Sequence, residues 1–331
     1  MGGHPTERTL TEDGTPTVSV VIPLYNKAPH IARALDSVLA QTVQDFEVVV
    51  VDDGSTDSGG QIVASYTDSR IRLIRQENQG VSAARNRGIK EAQSDFLAFL
   101  DADDEWSPNH LESLLRLRNL FPEAGAFSTA YFHVQQGRDA FPAKIYGIPD
   151  SPWEGLFPDY FLSASMGESP VSSSAVAIPS SVFETVGLFE VGEKMGEDLD
   201  MWGRIALRYK IAFSWQGPAH YREDAEERAC VLNQVEKELP FVRNVREQFN
   251  SKEIPANVRM YVGELQQHQL NSLLARGKRM DAMRVLLEID FPSCRKYTFF
   301  SSLARIVLPK PITEILRSLK RRLEKLFTRS S

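Results

Sequence analysis

The sequence predicts an α/β fold with a mostly parallel central sheet, followed by a helical C-terminal region. Three observations predict it. Short apolar runs alternate with segments of helical periodicity over the first hundred residues, the connections between them are short, and the sequence beyond residue 224 is charged and helical with proline breaks. Alternating strands and helices favour right-handed crossovers and parallel strand pairs.

Each element follows from its local pattern. Four apolar runs have the length of buried strands; they lie at 18–22, 46–51, 71–74 and 96–100. Two segments between them have helical spacing: one carries Ile31, Ala34, Leu35, Val38 and Leu39, and the other spans 81–92. Two further strands are predicted over 124–134 and 174–178. A helix is predicted after Gly196, with Leu199, Trp202, Ile205 and Ala206 as its apolar positions.

Length and composition indicate an ordinary globular chain of about two domains. It has 331 residues, of which 42% are apolar and 25% charged. The two cysteines, Cys230 and Cys294, exclude a disulfide framework and a Cys-rich zinc module. We expect a flexible N-terminal tail over 1–15, an α/β domain over 16–222 and a helical region over 223–331.

Charge is distributed unevenly along the chain. Residues 276–331 hold 14 basic and 5 acidic side chains, a net charge of +9, whereas the whole chain has a net charge of −6. An acidic body with a basic tail argues against a nucleic-acid partner. The tail includes a basic amphipathic helix over 311–327. It fits either an anionic membrane surface or a contact with protein, such as the α/β domain or a second copy in an oligomer.

The sequence also predicts where the protein resides. No apolar run approaches the ~18 residues that span a bilayer, and the polar N-terminus has no signal-peptide core. We therefore expect a cytoplasmic protein, with peripheral attachment at the inner face of the membrane if the basic helix binds lipid.

Polar clusters follow three of the predicted strands. Tyr25 and Asn26 come after the first, Asp52 and Asp53 after the second, and residues 101–104 after the fourth. The carboxyl ends of parallel strands meet at one edge of a sheet, where α/β proteins bind their ligands. These clusters are therefore predicted to converge on one crevice.

Asp101 and Asp103 are candidate metal ligands. Residues two apart on an extended segment point the same way. Mg²⁺ and Mn²⁺ typically take one or two protein carboxylates and fill their other positions with phosphate oxygens and water. A solvated acidic loop with a helix-capping Asp is the alternative. Because the cluster follows a run of five apolar residues and other polar strand ends accompany it, we favour the metal.

Four motifs occur in order: VSVVIPLYNK from Val18, FEVVVVDDGSTD from Phe46, NQGVSAARNRG from Asn78 and FLDADD from Phe99. Together they closely resemble the family 2 glycosyltransferases, over roughly residues 17–220. The resemblance implies the GT-A fold of nucleotide-diphospho-sugar transferases, a nucleotide-diphosphate sugar donor, a divalent metal (Mn²⁺ or Mg²⁺) and inversion at the anomeric carbon.

The resemblance also implies roles for particular residues. By their positions in the motifs, Pro23 and Tyr25 line the nucleotide pocket, Asp53 contacts the base, usually uracil, and Arg85 lies near the base and the diphosphate. Asp101 lies near the ribose and the metal, which Asp103 ligates directly.

A later segment, Gly196-Glu197-Asp198 with Trp202, resembles the motif that carries the family's catalytic base. By that match Asp198 is the general base, and Glu197 and Trp202 lie on the acceptor side. An acceptor hydroxyl must lose its proton as it attacks, which one carboxylate can accept. The alternative is that these acids only favour the first turn of a helix, where the helix dipole stabilises them.

The functional hypothesis is transfer of a sugar, most readily from a UDP-sugar, to a hydroxyl of a glycan or lipid-linked acceptor in polysaccharide or glycolipid biosynthesis. Two alternatives stay open. A nucleotidyltransferase would normally carry a Gly-rich basic loop after its first strand, where this chain has Pro23-Leu24-Tyr25-Asn26. A non-catalytic nucleotide-sugar binder, recruited to membranes by the tail, would bind a donor without turnover.

Overall fold

The computed structural model describes residues 14–223, 235–249, 253–289, 303 and 306–307. The chain divides into two compact units, Met1–Asn233 and Gln234–Ser331. The predicted tail over 1–15 lies almost entirely outside the described residues, and the predicted basic helix over 311–327 lies entirely outside them.

The first unit contains the sheet. Its strands are β1 (Val18–Leu24), β2 (Phe46–Asp53), β3 (Ile71–Gln76), β4 (Phe96–Phe99), β5 (Glu105–Trp106), β6 (Ala126–Val134), β7 (Phe141–Pro142), β8 (Glu154–Leu156), β9 (Val176–Pro179) and β10 (Ile211–Arg222). Its helices are α1 (Ala28–Leu39), α2 (Gly59–Ala64), α3 (Val81–Glu91), α4 (His110–Leu120), α5 (Tyr160–Met166), α6 (Ser180–Val186) and α7 (Glu197–Ala206).

The strand order is β3-β2-β1-β4-β9-β6-β10-β5, with β7 on β6 and β8 on β10. The first four strands in this order are mutually parallel, and β6 is parallel to β10. Strand β9 is antiparallel to both of its neighbours, β4 and β6. The α/β architecture with a mostly parallel sheet is therefore as the sequence predicts.

Helices cover both faces of the sheet. Alternate residues of β2 point to opposite sides, so Val48 and Val50 join the main core with α1, whereas Val49 and Val51 pack with Ala84 of α3. Because both faces of β2 are covered, all eight of its residues are buried, which is why it appears in the sequence as a continuous apolar run. Helix α3 thus lies on the face opposite α1, where it packs against β1 and β2.

The second unit is helical in its described part. It contains α8 (Pro240–Phe249), α9 (Ala256–Ala275) and α10 (Arg279–Glu288). Its apolar core joins α9 to α10 through Leu270, Leu273, Ala282 and Leu286. Among the helices described, none is both long and apolar enough to cross a membrane.

Candidate active site

The carboxyl ends of β1 and β2 are joined by the turn at Asn26. Asn26 has a positive φ of 50°, which asparagine tolerates better than most residues. Its side-chain oxygen accepts hydrogen bonds from the backbone N–H and the hydroxyl of Thr56, and its own N–H donates to the Ser55 hydroxyl. The first two polar clusters that the sequence singles out therefore lie side by side.

Asp53 ends β2 and is 2% exposed. Its carboxylate accepts hydrogen bonds from the Gln76 amide at 2.7 Å and from the backbone N–H groups of Gln79 and Gly80 at 3.0 and 2.8 Å. Gly80, with φ of 91°, leads into α3. Asp53 therefore fixes the start of α3 as well as the strand end. A carboxylate has about four acceptor positions, so one is left for a ligand N–H.

The crevice beyond β1 is open to solvent. Tyr25 is 47% exposed and Pro23 is partly buried. Lys27, two residues further on, forms an ion pair with the Asp103 carboxylate at 2.9 Å. The Arg33 guanidinium donates to the backbone oxygen of Asp103 at 2.9 Å. Helix α1 and the residue before it therefore bring two cations to the acidic segment that follows β4.

Within the acidic segment, Asp104 is buried and the other carboxylates are more exposed. Asp104 accepts hydrogen bonds from the Ser174 hydroxyl at 2.6 Å and from the backbone N–H of Arg222 at 2.9 Å. Burial raises its pKa well above the ordinary value, and repulsion from Asp103 and Asp101 adds to this rise. Ser174 also accepts from the Asp101 N–H, so it orders the whole segment.

Arg85 of α3 connects the acidic segment to α7. Its guanidinium donates to Asp101 at 2.8 Å and to Glu197 at 3.1 Å, and its side chain is only 4% exposed. It also lies over the Phe189 ring at 5.4 Å. Burial lowers the pKa of Arg85, but attraction to Asp101 and Glu197 outweighs burial and raises it overall. One buried cation thus holds together two segments 96 residues apart in the chain.

Helix α7 presents Glu197 and Asp198 at its first turn. Burial and repulsion from Asp198 raise the pKa of Glu197 to about 7, despite its bond to Arg85. Burial also raises the pKa of Asp198, while Arg85 opposes the rise. The nearby Asp101 charge raises it further, which places Asp198 within electrostatic reach of the acidic segment. A carboxylate with a raised pKa is a stronger base than one in water.

Trp202 lies in the interior of the first unit, on the buried face of α7. Its side chain is 0% exposed and meets the Phe189 ring edge-on at 6.1 Å. Trp202 therefore packs on the buried face of α7, and its assignment to the acceptor side stays a prediction. Glu197, the other residue of that assignment, is bonded to Arg85 and largely buried.

The carboxylates at this site suit a hard divalent cation that is bound by only one or two protein side chains. The described residues contain no group of three or more His, Cys, Asp or Glu side chains that could hold a metal. Asp101 and Asp103 have side chains 30% and 17% exposed at the crevice. Two accessible carboxylates match Mg²⁺ or Mn²⁺, which complete their coordination with phosphate oxygens and water.

Sequence reasoning missed Lys27, Ser174 and Asn86 as parts of the site. Lys27 follows the first polar cluster directly, so its position along the chain was a usable signal. Asn86 exchanges two hydrogen bonds with the backbone of Phe189, at 2.8 and 2.9 Å, and so anchors the loop before α7. Ser174 lies about seventy residues from its partners, and no local pattern indicates that contact.

Comparison with known proteins identifies the class. Residues 19–172 match the family model described as glycosyl transferase family 2. The uncharacterized glycosyltransferase RT0329 of Rickettsia typhi is 30% identical over 228 residues, which cover 67% of this chain and 69% of the relative. The putative glycosyltransferase EpsH of Bacillus subtilis is 41% identical over 104 residues, 31% of this chain and 30% of EpsH.

Solved structures show the same fold. The crystal structure of S. aureus TarS 1–349 in complex with UDP-GlcNAc has a TM-score of 0.66 at 20% identity, and the match covers 91% of this chain and 92% of that TarS 1–349 chain. The mannosyltransferase PcManGT from Pyrobaculum calidifontis, in complex with GDP-Man and Mn²⁺, has a TM-score of 0.55 at 19% identity, covering 93% and 85%.

A crevice at the strand ends of a GT-A fold, with these relatives, defines the protein as a glycosyltransferase. The chain belongs to glycosyl transferase family 2.

Proposed function

We propose that this glycosyltransferase transfers a sugar from a UDP-sugar to a hydroxyl of a glycan or lipid-linked acceptor, with inversion at the anomeric carbon. The biological setting that fits is the synthesis of polysaccharide or glycolipid. The observation that carries the proposal is the Arg85 bridge, because it joins the acidic segment after β4 to the helix that carries Asp198. The TarS complex with UDP-GlcNAc supports the choice of UDP.

The donor would lie along the strand ends. The base would stack near Tyr25 and Pro23, and its N–H would donate to the acceptor position that remains on Asp53. Arg85, held by its bonds to Asp101 and Glu197, would lie near the base and the diphosphate.

Asp103 and Asp101 would hold Mn²⁺ or Mg²⁺, and the PcManGT complex with Mn²⁺ supports this assignment. When bound, such a cation supplies charge neutralisation for the departing diphosphate. Lys27, on the carboxylate of Asp103, would add a second positive charge at the same place.

Asp198 would take the proton of the acceptor hydroxyl. As the acceptor oxygen bonds to the anomeric carbon, the bond from that carbon to the diphosphate oxygen breaks and its electrons leave with the nucleotide. Asp198 accepts the proton, and the diphosphate leaves as a stabilised anion. The reaction therefore needs no second carboxylic acid, in contrast with that of a glycoside hydrolase. Attack from the side opposite the nucleotide inverts the sugar.

Turnover tests the assignment of Asp198. We expect Asp198→Asn to lower the release of UDP from UDP-GlcNAc, with p-nitrophenyl glycosides as acceptors and Mn²⁺ present, by about 10²-fold or more. The affinity for UDP should stay within about twofold, because Asp198 is not among the proposed nucleotide ligands. Asp139→Asn, at an exposed position, is the matched control. Full turnover in Asp198→Asn would show that another group is the base.

A further inference from the structure

His133 forms a buried cluster outside the proposed donor site. It lies near the end of β6 and is 9% exposed. Its Nδ1 is 2.7 Å from Glu223, which follows β10, and its Nε2 is 2.5 Å from Glu168. The Gln135 amide donates to the other oxygen of Glu223 at 2.6 Å. One imidazole ring thus joins two carboxylates from distant parts of the chain.

The hydrogen bonds between His133 and the two carboxylates are of a strong kind. Each of the two ring nitrogens lies within hydrogen-bonding distance of a different carboxylate, so a single side chain contacts both of them. Charge-assisted bonds of this kind are shorter than neutral ones and about twice as strong. The Phe141 ring stacks on the imidazole at 5.0 Å with an interplanar angle of 18°.

These contacts close a segment of residues 141–169, which we name the side segment. Phe141 at its start and Glu168 near its end both contact His133. Glu168 also accepts from the Lys144 backbone N–H at 3.0 Å, and its own N–H donates to the Lys144 carbonyl at 3.2 Å. His133 therefore holds the two ends of the side segment at one point on the sheet.

The side segment lies beside the helix that carries Asp198. Its helix α5 packs against α7. Tyr131, two residues before His133 and on the same face of β6, donates its hydroxyl hydrogen to the Ser169 carbonyl at 3.1 Å. Burial raises the pKa of the Tyr131 hydroxyl, and the charges of Glu168 and Asp198 raise it further.

We propose that His133 is a positioning residue that holds the side segment against α7, so that the side segment forms the acceptor-side wall of the site. This inference rests on the proposed function, in which Asp198 accepts the acceptor's proton. It assigns to residues 141–169 the contacts that determine which acceptor is used, and it leaves the nucleotide to the strand ends.

Two measurements on His133→Gln test the proposal. A glutamine amide has only one nitrogen and cannot reach both carboxylates as the two ring nitrogens do, so the ends of the side segment should open more often. By hydrogen exchange, we expect amides in 141–147 and 160–169 to exchange about tenfold faster, consistent with the loss of a charge-assisted hydrogen bond. In turnover with UDP-GlcNAc and a p-nitrophenyl glycoside, KM for the glycoside should rise about tenfold and KM for the donor less than about twofold.

Controls separate a positioning role from general damage. Glu168→Gln removes one of the two carboxylates without emptying the core, and it should show the same split between the two KM values. His268→Gln makes the same replacement at an exposed helix position and should change neither measurement. Exchange in the side segment that stays at the wild-type rate, or equal rises in both KM values, would overturn the proposal. A wild-type protein that binds no UDP would contradict the proposed function instead, and the exchange measurement would still decide the role of His133.

Discussion

Arg85 is the residue on which the geometry of the site depends most. Its side chain is 4% exposed and bonded to Asp101 and Glu197, so three charges share a largely buried space. Breaking a buried ion pair from one side leaves uncompensated charge, which costs more than the pair itself contributes. Arg85 is therefore predicted to matter for folding as well as for catalysis.

We predict that Arg85→Met lowers the free energy of unfolding by about 3–5 kcal/mol. The loss follows because the buried Glu197 and the partly exposed Asp101 both lose their cation. Urea denaturation followed by circular dichroism measures it. Arg87→Met, at the exposed position two residues on, is the matched control, and its surface pair with Glu91 contributes about 0.5 kcal/mol. Equal stability of the two variants would contradict the importance given to the bridge.

His110 gives the unfolding free energy a pH dependence. It is fully buried at the start of α4, stacks on Trp106 at 4.3 Å, and donates from Nδ1 to the Gly217 carbonyl at 2.7 Å. Burial lowers its pKa to about 3, from an ordinary value of 6.5. Between those two values the unfolded chain binds a proton that the folded chain does not, so stability falls as pH falls from 6.5 towards 3.

We predict that His110 contributes a slope approaching about 1.4 kcal/mol per pH unit to unfolding within that window. The difference in unfolding free energy between wild type and His110→Gln, measured in urea at pH 4, 5, 6 and 7, isolates this contribution. The wild type should lose stability towards low pH faster than the variant does. Parallel curves for the two proteins would show that the pKa of His110 is the same in the folded and the unfolded chain, which contradicts the lowered pKa. His268→Gln, at an exposed position, should follow the wild type.

Among the elements, α3 does most to organise the site. Asp53 anchors its start, Arg85 and Asn86 hold the segments around α7, and Gly88 lies against β1. A Cβ atom at Gly88 would overlap the side chain of Val21. The helix lies this close to the sheet because residue 88 has no side chain.

We predict that Gly88→Ala destabilises the protein by about 1–3 kcal/mol, because the extra methyl overpacks the contact between α3 and β1. Lys90→Ala, on the exposed side of the same helix, should stay within about 0.5 kcal/mol of the wild type. Thermal unfolding monitored by circular dichroism compares the two. An unchanged melting temperature in Gly88→Ala would mean that α3 can move outward without cost.

The sequence predicted the elements whose pattern is local. The spacing of Ile31, Ala34, Leu35 and Val38 indicated α1, and all four are buried. The two-residue strands β5 and β7 are too short for any periodicity, and the antiparallel placement of β9 depends on contacts with distant strands. Such pairings arise from tertiary packing, which local propensity does not determine.

For the candidate site, too, the sequence indicated what depends on local pattern and topology and missed what depends on distant contacts. The strand ends could be brought together from the sheet topology alone, because parallel strands share one edge. The burial of Trp202 could be predicted, because its helical spacing with Leu199 and Ile205 indicated an apolar face. The two ion pairs of Arg85, with Asp101 and Glu197, depend on three-dimensional contacts that the spacing of residues along the chain does not reveal.

At the scale of the whole molecule, the proposed donor, metal and base residues all lie in the first unit, Met1–Asn233. The basic end of the chain falls in the second, which fits a division between catalysis and recruitment to an acceptor or an anionic surface. We propose that the first unit carries out catalysis and that the second unit recruits an acceptor or an anionic surface. The central claim concerns the first unit alone: Asp101 and Asp103 hold a cation against the diphosphate of a nucleotide.

Titration calorimetry of UDP into the full chain, with Mn²⁺ or with a chelator, tests that claim most directly. The wild type and the Asp139→Asn control should bind UDP at least about tenfold more tightly with Mn²⁺. Asp103→Asn should bind UDP weakly under both conditions, because it lacks the proposed direct ligand. UDP affinity that is the same with and without Mn²⁺, in the wild type and in Asp103→Asn alike, would contradict the account.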